Sequence, residues 1–188
     1  MGPTASGKTE LAINLFEKFN IELISVDSVM VYRGANIGSA KPTDDVLSNY
    51  PHHLVNNKSL NEIYSVAEFC SDSLQLIQEV HSRNKVPLFV GGSMMYFKSL
   101  LRGIDKLPQR DDGYREALMK LKASEDSHYL YNLLFLKDQD YARVVKPNDE
   151  KRIIRALEVI KITGKPFTAN LPREESSRYP HAKQFGLV

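Results

Sequence analysis

The sequence predicts an α/β fold in which a parallel sheet, flanked by helices, carries a small all-helical insertion. Over residues 9–101 short apolar runs alternate with stretches of helical periodicity, and this alternation is typical of βαβ units in a parallel sheet. Residues 114–145 have a helical pattern without a strand-like run, which indicates the insertion. A chain of 188 residues suits one domain with such an addition. We therefore expect a core at 1–104, a helical insertion at 105–146 and a return to the core at 147–188.

Each predicted element rests on a local pattern. Helices are indicated where apolar residues recur at helical spacing, and strands where a short run is rich in apolar and β-branched residues. Gly164 followed by Pro166 marks the end of the last strong helix, which begins near residue 147. The predicted helices are 9–19, 65–84, 94–101 and 147–163, and the predicted strands are 21–26, 52–55, 86–90 and 184–188.

After a single methionine the chain opens with a complete phosphate-binding loop, G-x-x-x-x-G-K-[ST], at residues 2–9. The glycines let successive backbone N–H groups point at phosphate oxygens, Lys8 adds a positive charge, and the Thr9 hydroxyl is placed to ligate Mg²⁺. The helical run that follows puts the phosphate at a positive helix N-terminus. The alternative is a glycine-rich loop without a ligand, and no strand-like run precedes the loop in this sequence. The motif predicts a core of the P-loop NTPase type.

Two polar residues follow predicted strands and are candidates for the chemistry. Asp27 ends the strand at 21–26, and Ser93 follows the Gly91-Gly92 turn after the strand at 86–90. Functional groups of a parallel sheet gather beyond the carboxyl ends of its strands, so Asp27 is interpreted as a general base or an outer partner of Mg²⁺. The alternative is that Asp27 and Ser28 only cap a helix.

Motifs of other phosphate-loop proteins are missing from the sequence. No apolar strand ends in Asp-Asp or Asp-Glu, the pattern of ATPases that activate water, and no Asn-Lys-x-Asp sequence reads guanine. The loop is therefore expected to serve group transfer to a small or specific acceptor.

Composition and charge indicate a soluble, cytoplasmic protein. The net charge of +2 is too small to predict nucleic-acid binding by itself, but basic residues concentrate between 143 and 165. Lys151 and Arg155 lie one helical turn apart, so this face either is simply solvated or contacts RNA phosphates. The single cysteine, Cys70, excludes an internal disulfide, fits a reducing compartment and is expected in the core. No apolar run approaches 18 residues, so no membrane partner is expected.

The adjacent histidines 52 and 53 are not interpreted as a metal site. Neighbouring residues of a strand point to opposite faces of the sheet, which is poor geometry for sharing one ion. A structural or substrate-contact role is expected instead.

Several short motifs together resemble the tRNA dimethylallyltransferase (isopentenyltransferase) family over nearly the whole chain. They are Gly-Pro-Thr-Ala-Ser-Gly-Lys-Thr at 2–9, Ile-Ser-Val-Asp-Ser at 24–28, Ile-Gly-Ser-Ala-Lys-Pro at 37–42, Pro-His-His-Leu at 51–54, Val-Gly-Gly-Ser at 90–93, Pro-Asn-Asp at 147–149 and Arg-Ala-Leu-Glu-Val at 155–159. The resemblance implies transfer of a dimethylallyl group from dimethylallyl diphosphate to N6 of the adenosine 3′-adjacent to the anticodon of tRNA. Dimethylallyl diphosphate, the tRNA anticodon stem-loop and Mg²⁺ are thus the implied partners and cofactor, and a monomer is expected.

The resemblance also implies roles for individual residues. Asp27 accepts the N6 proton, and Ser93, at a position usually occupied by Thr in the family, lies at the reaction channel. The diphosphate is held by the loop, with Mg²⁺ at Thr9, and tRNA contacts fall on the turn after the first strand, on the insertion and on the basic helix. The implied diphosphate-binding residues are Gly2, Thr4, Ala5, Ser6, Gly7, Lys8 and Thr9, and the implied tRNA-binding residues are Asp27, Ser28, Val29, Met30, Arg115, Lys151, Arg152, Ile153, Ile154 and Arg155.

The chain departs from the family pattern at both ends. Family members begin with a strand before the loop and extend well beyond residue 188, so the sequence is expected to be a fragment with weak or no activity alone. Three alternatives remain open: an adenylate isopentenyltransferase, a small-molecule kinase of the P-loop type, and an inactive RNA-binding fragment.

Overall fold

The predicted α/β class is confirmed by the computed structural model, which describes residues 1–3, 5–103, 107–124, 128–171 and 178–187. The chain divides into two compact units, Met1–Ile104 with Ser176–Val188, and Asp105–Glu175. The elements of the first unit are α1 (Lys8–Lys18), β1 (Ile21–Val26), α2 (Asp44–Asn49), β2 (His52–His53), α3 (Val66–Ser82), β3 (Val86–Gly91) and α4 (Met94–Arg102). Those of the second unit are α5 (Asp112–Ser124), α6 (Tyr129–Lys137), α7 (Gln139–Val144), α8 (Glu150–Thr163) and α9 (Phe167–Asn170).

The sheet of the first unit has three parallel strands in the order β2-β1-β3. β1 is the central strand and is buried over its last four residues, because both of its edges are paired and helices cover the sheet. Val26 pairs with Gly91 at the carboxyl end, where a Cβ on Gly91 would lie 2.1 Å from the Val26 carbonyl oxygen. Only glycine allows the two strands to approach this closely, and the approach brings the ends of β1 and β3 together.

The core of the first unit is built from the sheet and the helices α3 and α4. The rings of Phe69 and Tyr96 stack at 4.5 Å between centroids, and the Tyr96 hydroxyl donates to the Tyr64 carbonyl. Cys70, on the buried face of α3, is 8% exposed, as expected for a core residue. Helix α3 begins at a capping box, in which the Ser65 and Glu68 side chains each accept from the backbone N–H of the other residue.

The second unit is a helical cluster with a core of its own. Apolar residues of α5, α6, α7, α8 and α9 form one buried group, which includes Leu118, Leu134, Ile153, Leu157 and Phe167. The unit therefore extends to residue 175, and the predicted return to the core at residue 147 is wrong. Helix α8 carries a strong apolar face, and that face packs against α5 and α6 of the same unit.

Residues 184–187 do not form the predicted last strand; residue 188 lies outside the described residues. They still bond to the first residue of the chain. The Met1 amino group donates to the Phe185 carbonyl and the Met1 carbonyl accepts from the Leu187 N–H, both at 2.8 Å. These two bonds follow the pattern of parallel strands.

Candidate functional site

The phosphate loop adopts backbone conformations that its sequence permits. Gly7, the N-cap of α1, has φ 77°, a left-handed conformation that glycine adopts without strain, and Ala5 has φ 63°. The Ser6 hydroxyl donates to the Pro3 carbonyl at 2.9 Å, which closes the loop. Lys8 lies over the same carbonyl and donates to it, so its ammonium is held at the loop that precedes α1.

Asp27 stands at the carboxyl end of β1, as predicted. One carboxylate oxygen, Oδ1, accepts from the backbone N–H of Val29 at 2.8 Å and of Met30 at 3.1 Å. This turn fixes the orientation of the carboxylate, and Oδ2 accepts no hydrogen bond from the residues that the structure describes. Asp27 therefore presents one oriented oxygen that is able to accept a proton.

One cavity of about 360 Å³ joins the phosphate loop to Asp27. The loop and the start of α1 form one side of it, and the turn after β1 and the loop before α2 form others. The lining residues are Ala5, Ser6, Gly7, Lys8, Thr9, Glu10, Ser25, Asp27, Met30, Ser39, Ala40, Pro42, His52, Val55, Val90, Gly91 and Gly92. The phosphate loop and the candidate base thus face the same space, which is large enough for a small substrate.

Some predicted site residues do not line this cavity. Ser93 lies just beyond it as the N-cap of α4, where its backbone N–H donates to the Val26 carbonyl at 3.2 Å. Gly2 packs against Leu187 and Ser6. Ser28 and Val29 are exposed outside the cavity, and Thr4 lies outside the described residues.

Sequence reasoning assigned no role to the wall at residues 39–42 or to Ser25. The motif at 37–42 carried the resemblance, but a loop pattern does not show which side chains face a cavity. Ser25 is 4% exposed, and its hydroxyl lies 3.9 Å from the Met30 sulfur. The signal in the sequence that Ser25 faces the cavity was its position on β1, two residues before Asp27.

The two adjacent histidines face different surroundings, as the strand geometry predicts. His52 lines the cavity and its Nδ1 lies 2.7 Å from the Tyr50 carbonyl oxygen, while His53 Nε2 lies 2.8 Å from Glu22. Burial lowers the pKa of His52, although the bond to Tyr50 opposes the shift, so the neutral imidazole is favoured. Nδ1 of the neutral ring is then the donor, and Nε2 is left as an acceptor.

In the helical unit, Glu158 engages two of the arginines that were predicted to contact tRNA. The carboxylate is fully buried, and Arg115 binds it through Nε at 2.8 Å and Nη2 at 3.0 Å. Arg155 also donates to Glu158, and it donates to the Pro108 carbonyl at 2.7 Å. Burial raises the pKa of Glu158, but the hydrogen bonds from Arg115, Arg155 and the Asp111 N–H outweigh it and lower the pKa to about 2.

The basic segment of α8 is therefore divided between the core and the surface. Ile153 and Ile154 are 1% and 8% exposed and belong to the apolar face of the helix, so the expected tRNA contact at these two positions stays a prediction that their buried side chains do not support. Arg152 is 69% exposed and pairs with Asp149 at 2.8 Å, and Lys151 is exposed. Of the predicted RNA-binding side chains on α8, Lys151 and Arg152 are the two that remain at the surface.

The residues around the loop fit a magnesium ion that is held mainly by its substrate. Within the described residues no group of three or more His, Cys, Asp or Glu side chains converges on a metal position. Thr9, whose side chain carries a hydroxyl, lines the cavity next to the loop that would hold phosphates. Mg²⁺ commonly takes one or two protein oxygens and completes its octahedron with phosphate oxygens and water, so this donor set suits it.

No helix in the described ranges is long and apolar enough to cross a membrane.

Relatives of known function and known structure match the chain. The tRNA dimethylallyltransferase of Acinetobacter baumannii is 47% identical over 186 residues, which are 98% of this chain and 59% of that protein. The enzyme of the same name from Thiobacillus denitrificans is 46% identical over 188 residues, 100% of this chain and 60% of its own. This chain thus spans about three fifths of the length of these relatives.

Two solved structures are also similar. The full-length tRNA isopentenylpyrophosphate transferase of Bacillus halodurans is 40% identical with a TM-score of 0.55, over 88% of this chain and 55% of that one. A eukaryotic dimethylallyltransferase, described as acting on tRNA, is 32% identical with a TM-score of 0.71, over 89% of this chain and 42% of its own.

A family model described as IPP transferase matches residues 30–187, most of the chain. Together with the fold and the cavity, this match means that the chain belongs to the IPP transferase family.

Proposed function

We propose that this chain carries the reaction centre of a tRNA dimethylallyltransferase. The activity proposed is transfer of the dimethylallyl group of dimethylallyl diphosphate to N6 of the adenosine 3′-adjacent to the anticodon. The observation that carries the proposal is the shared cavity that Lys8 and Thr9 of the phosphate loop line together with Asp27. The names of the relatives support the donor and the acceptor class.

The step forms the N6–C1 bond and breaks the C1–O bond, and a proton passes from N6 to the Asp27 carboxylate. The lone pair of N6 attacks C1 of the dimethylallyl group, the C1–O bond breaks, and its electron pair leaves with pyrophosphate. An exocyclic amine is a weak nucleophile, so removal of one N6 proton by Asp27 favours the attack. The backbone N–H groups of the loop and the Lys8 ammonium stabilise the negative charge that grows on the leaving oxygens.

Magnesium belongs to the proposal, with Thr9 as its protein ligand. When bound, it supplies positive charge to the departing pyrophosphate. The loop amides and Lys8 orient the diphosphate, and Asp27, held by the N–H groups of Val29 and Met30, receives the proton.

The acceptor adenosine has to leave its stack in the anticodon loop to reach this cavity, at a cost of a few kcal/mol. Contacts to RNA phosphates offset part of that cost, and the exposed Lys151 and Arg152 are proposed to make such contacts. Ser28 and Val29 are exposed between Asp27 and Met30, which line the cavity, and are proposed to touch the RNA there. We propose a monomer that acts in the cytoplasm, with which a single buried cysteine is consistent.

The test is the Asp27→Asn variant. Asn keeps a carbonyl oxygen that accepts from Val29 and Met30, so the turn is preserved while the base is removed. With enzyme in excess over an anticodon stem-loop, we expect single-turnover transfer to fall at least about 100-fold, the usual contribution of a general base. Binding of Mg²⁺-pyrophosphate, measured by calorimetry, should stay within about twofold, because the loop is unchanged. Asp45→Asn, an exposed carboxylate on α2, is the matched control.

The acceptor and the transferred group distinguish the alternatives. Prenylation of AMP in preference to the stem-loop would indicate an adenylate isopentenyltransferase, and transfer of labelled γ-phosphate from ATP a kinase. Undiminished transfer by Asp27→Asn would remove Asp27 from the mechanism. Stem-loop binding without any transfer by the unaltered chain would indicate the third alternative, an inactive RNA-binding fragment, instead of the proposed activity.

A further inference from the structure

The ammonium of Lys41 joins three separate segments of the first unit. It donates to the Tyr32 carbonyl at 2.6 Å, to the Asn56 side-chain oxygen at 2.8 Å and to the Asn36 side-chain oxygen at 3.1 Å. All three partners are neutral carbonyl oxygens, and the three N–H bonds of one ammonium are thereby used. Lys41 thus acts as a hub for residues that lie up to 24 positions apart along the chain, from Tyr32 to Asn56.

Each segment held by this hub supplies a wall of the cavity. Tyr32 follows the turn that carries Asp27 and Met30, Asn56 follows Val55, and Lys41 itself lies between Ala40 and Pro42. Lys41 does not line the cavity. Its side chain therefore acts behind the walls that face the phosphate loop.

These walls contain backbone that needs support. Ala40, Leu54 and Asn56 have φ values of 53°, 63° and 56°, in the left-handed region that side chains other than glycine seldom adopt. Such conformations persist only where the surrounding contacts over-determine them. The hub bonds directly to one of the three, the Asn56 side chain, and Lys41 itself is the residue that follows Ala40.

Other hydrogen bonds also link the segment around residues 30–33 to the segment at residues 56–57. The N–H groups of Asn56 and Asn57 donate to the carbonyls of Met30 and Val31 at 3.1 and 2.7 Å, and Arg33 Nε donates to the Asn56 carbonyl at 2.8 Å. Burial lowers the pKa of Lys41, and the nearby Asp44 opposes the shift. The ammonium is thus partly removed from water and depends on its three acceptors.

We propose that Lys41 is a positioning residue that sets the acceptor side of the cavity, the walls around Asp27 that face the adenine. The proposal rests on the proposed function, since it assigns the wall at 39–42 to the acceptor and the phosphate loop to the donor. Loss of the hub lets the walls and the Asp27 turn shift relative to one another, while the loop keeps its hold on pyrophosphate. A displaced general base slows transfer steeply even when the donor is bound normally.

The test compares Lys41→Met with Lys41→Arg and with Lys18→Met, an exposed lysine at the end of α1. Methionine keeps the length of the side chain without its donors. Arginine keeps the charge, but a planar guanidinium does not present three hydrogens from one atom. We expect both Lys41 variants to lower single-turnover transfer at least about 10-fold, with Mg²⁺-pyrophosphate affinity within about twofold of the unaltered chain. Lys18→Met should change neither.

Amide hydrogen exchange, followed by NMR, gives a measurement that does not depend on activity. Exchange at Asn56 and Asn57 should become at least about 10-fold faster in Lys41→Met, while the Leu11 amide, which donates to Gly7 at 3.0 Å in the phosphate loop, stays the same. If Lys41→Met does not fold, Asn36→Ala removes one exposed acceptor only and should give a smaller change in the same direction.

Unchanged exchange at Asn56 and Asn57 would overturn the hub, whatever the activity. Faster exchange in Lys41→Met with normal transfer would mean that Lys41 has only a structural role. Full transfer activity in Lys41→Arg would show that the charge alone matters. Each of these results contradicts the proposal. Absence of transfer by the unaltered chain would contradict the proposed function, and the exchange result would still decide the role of Lys41.

Discussion

The buried carboxylate of Glu158 gives a quantitative prediction for the helical unit. Its pKa in the folded chain is about 2, against 4.5 for an ordinary glutamate, a difference of about 2.5 pH units. At about 1.4 kcal/mol per unit, ionised Glu158 stabilises the fold by about 3 kcal/mol at pH 7 relative to its neutral form. Glu158→Gln imitates the neutral form and leaves Arg115 and Arg155 without their carboxylate, so it should lower the free energy of unfolding by about this amount.

The sign of the pH dependence follows from the lowered pKa. The stabilisation is complete above pH 4.5 and is lost as the pH falls through the folded pKa of about 2. The difference between the unaltered chain and Glu158→Gln should therefore be about 2 kcal/mol smaller at pH 3 than at pH 7, measured by urea unfolding with circular dichroism. Glu150→Gln is the control, because Glu150 is a 47%-exposed carboxylate on the same helix, paired with Lys122. It should cost at most about 1 kcal/mol. Equal losses in the two variants, or a Glu158→Gln difference that does not change with pH, would refute the reasoning.

Two further predictions concern the sheet and the surface of α8. Gly91→Ala should lower the free energy of unfolding, measured by thermal or urea melts, by about 2–3 kcal/mol, because the new Cβ would lie 2.1 Å from the Val26 carbonyl oxygen. Gly186→Ala is the control and should have little effect in the same melts, because the space around Gly186 is open. Lys151→Gln and Arg152→Gln should each weaken stem-loop binding and reduce the slope of log affinity against log salt by about 1. Arg155→Gln should mainly destabilise the fold, because Arg155 pairs with the buried Glu158. A loss of stability with an unchanged salt slope in the first two variants would contradict their assignment to the RNA-binding surface.

The sequence was most informative where function depends on a short contiguous pattern. The phosphate loop is such a pattern, and Asp27 could be placed because it directly follows a buried strand in a parallel sheet. The strands at Ile21–Val26 and Val86–Gly91 and the helix at Val66–Ser82 were predicted closely for the same reason: apolar periodicity reports local structure.

Features that depend on contacts between distant segments could not be predicted. Spacing placed Lys151 and Arg155 on one face of α8, but it could not show that Arg155 turns to Glu158, three residues further along the same helix. Residues 156–160 are all buried, so the middle of this helix lies deep in its unit, and its exposed cations are Lys151 and Arg152 in the first turn and Lys161 in the last. The same packing explains the wrong boundary at 147, because a helix start signal does not say which partner the apolar face will meet. The wall at 39–42 was missed since a loop has no periodicity from which to infer the direction of its side chains.

The burial of Cys70 makes this chain convenient for site-directed labelling. It is the single cysteine in the sequence, it is 8% exposed, and burial raises the pKa of its thiol although Arg178 opposes the shift. A thiol of this kind reacts slowly with maleimides and nitroxide reagents, because the thiolate is the reactive form. Cysteines introduced at exposed positions such as Ser28 or Lys151 can therefore carry fluorescent or spin probes while the native cysteine stays in place.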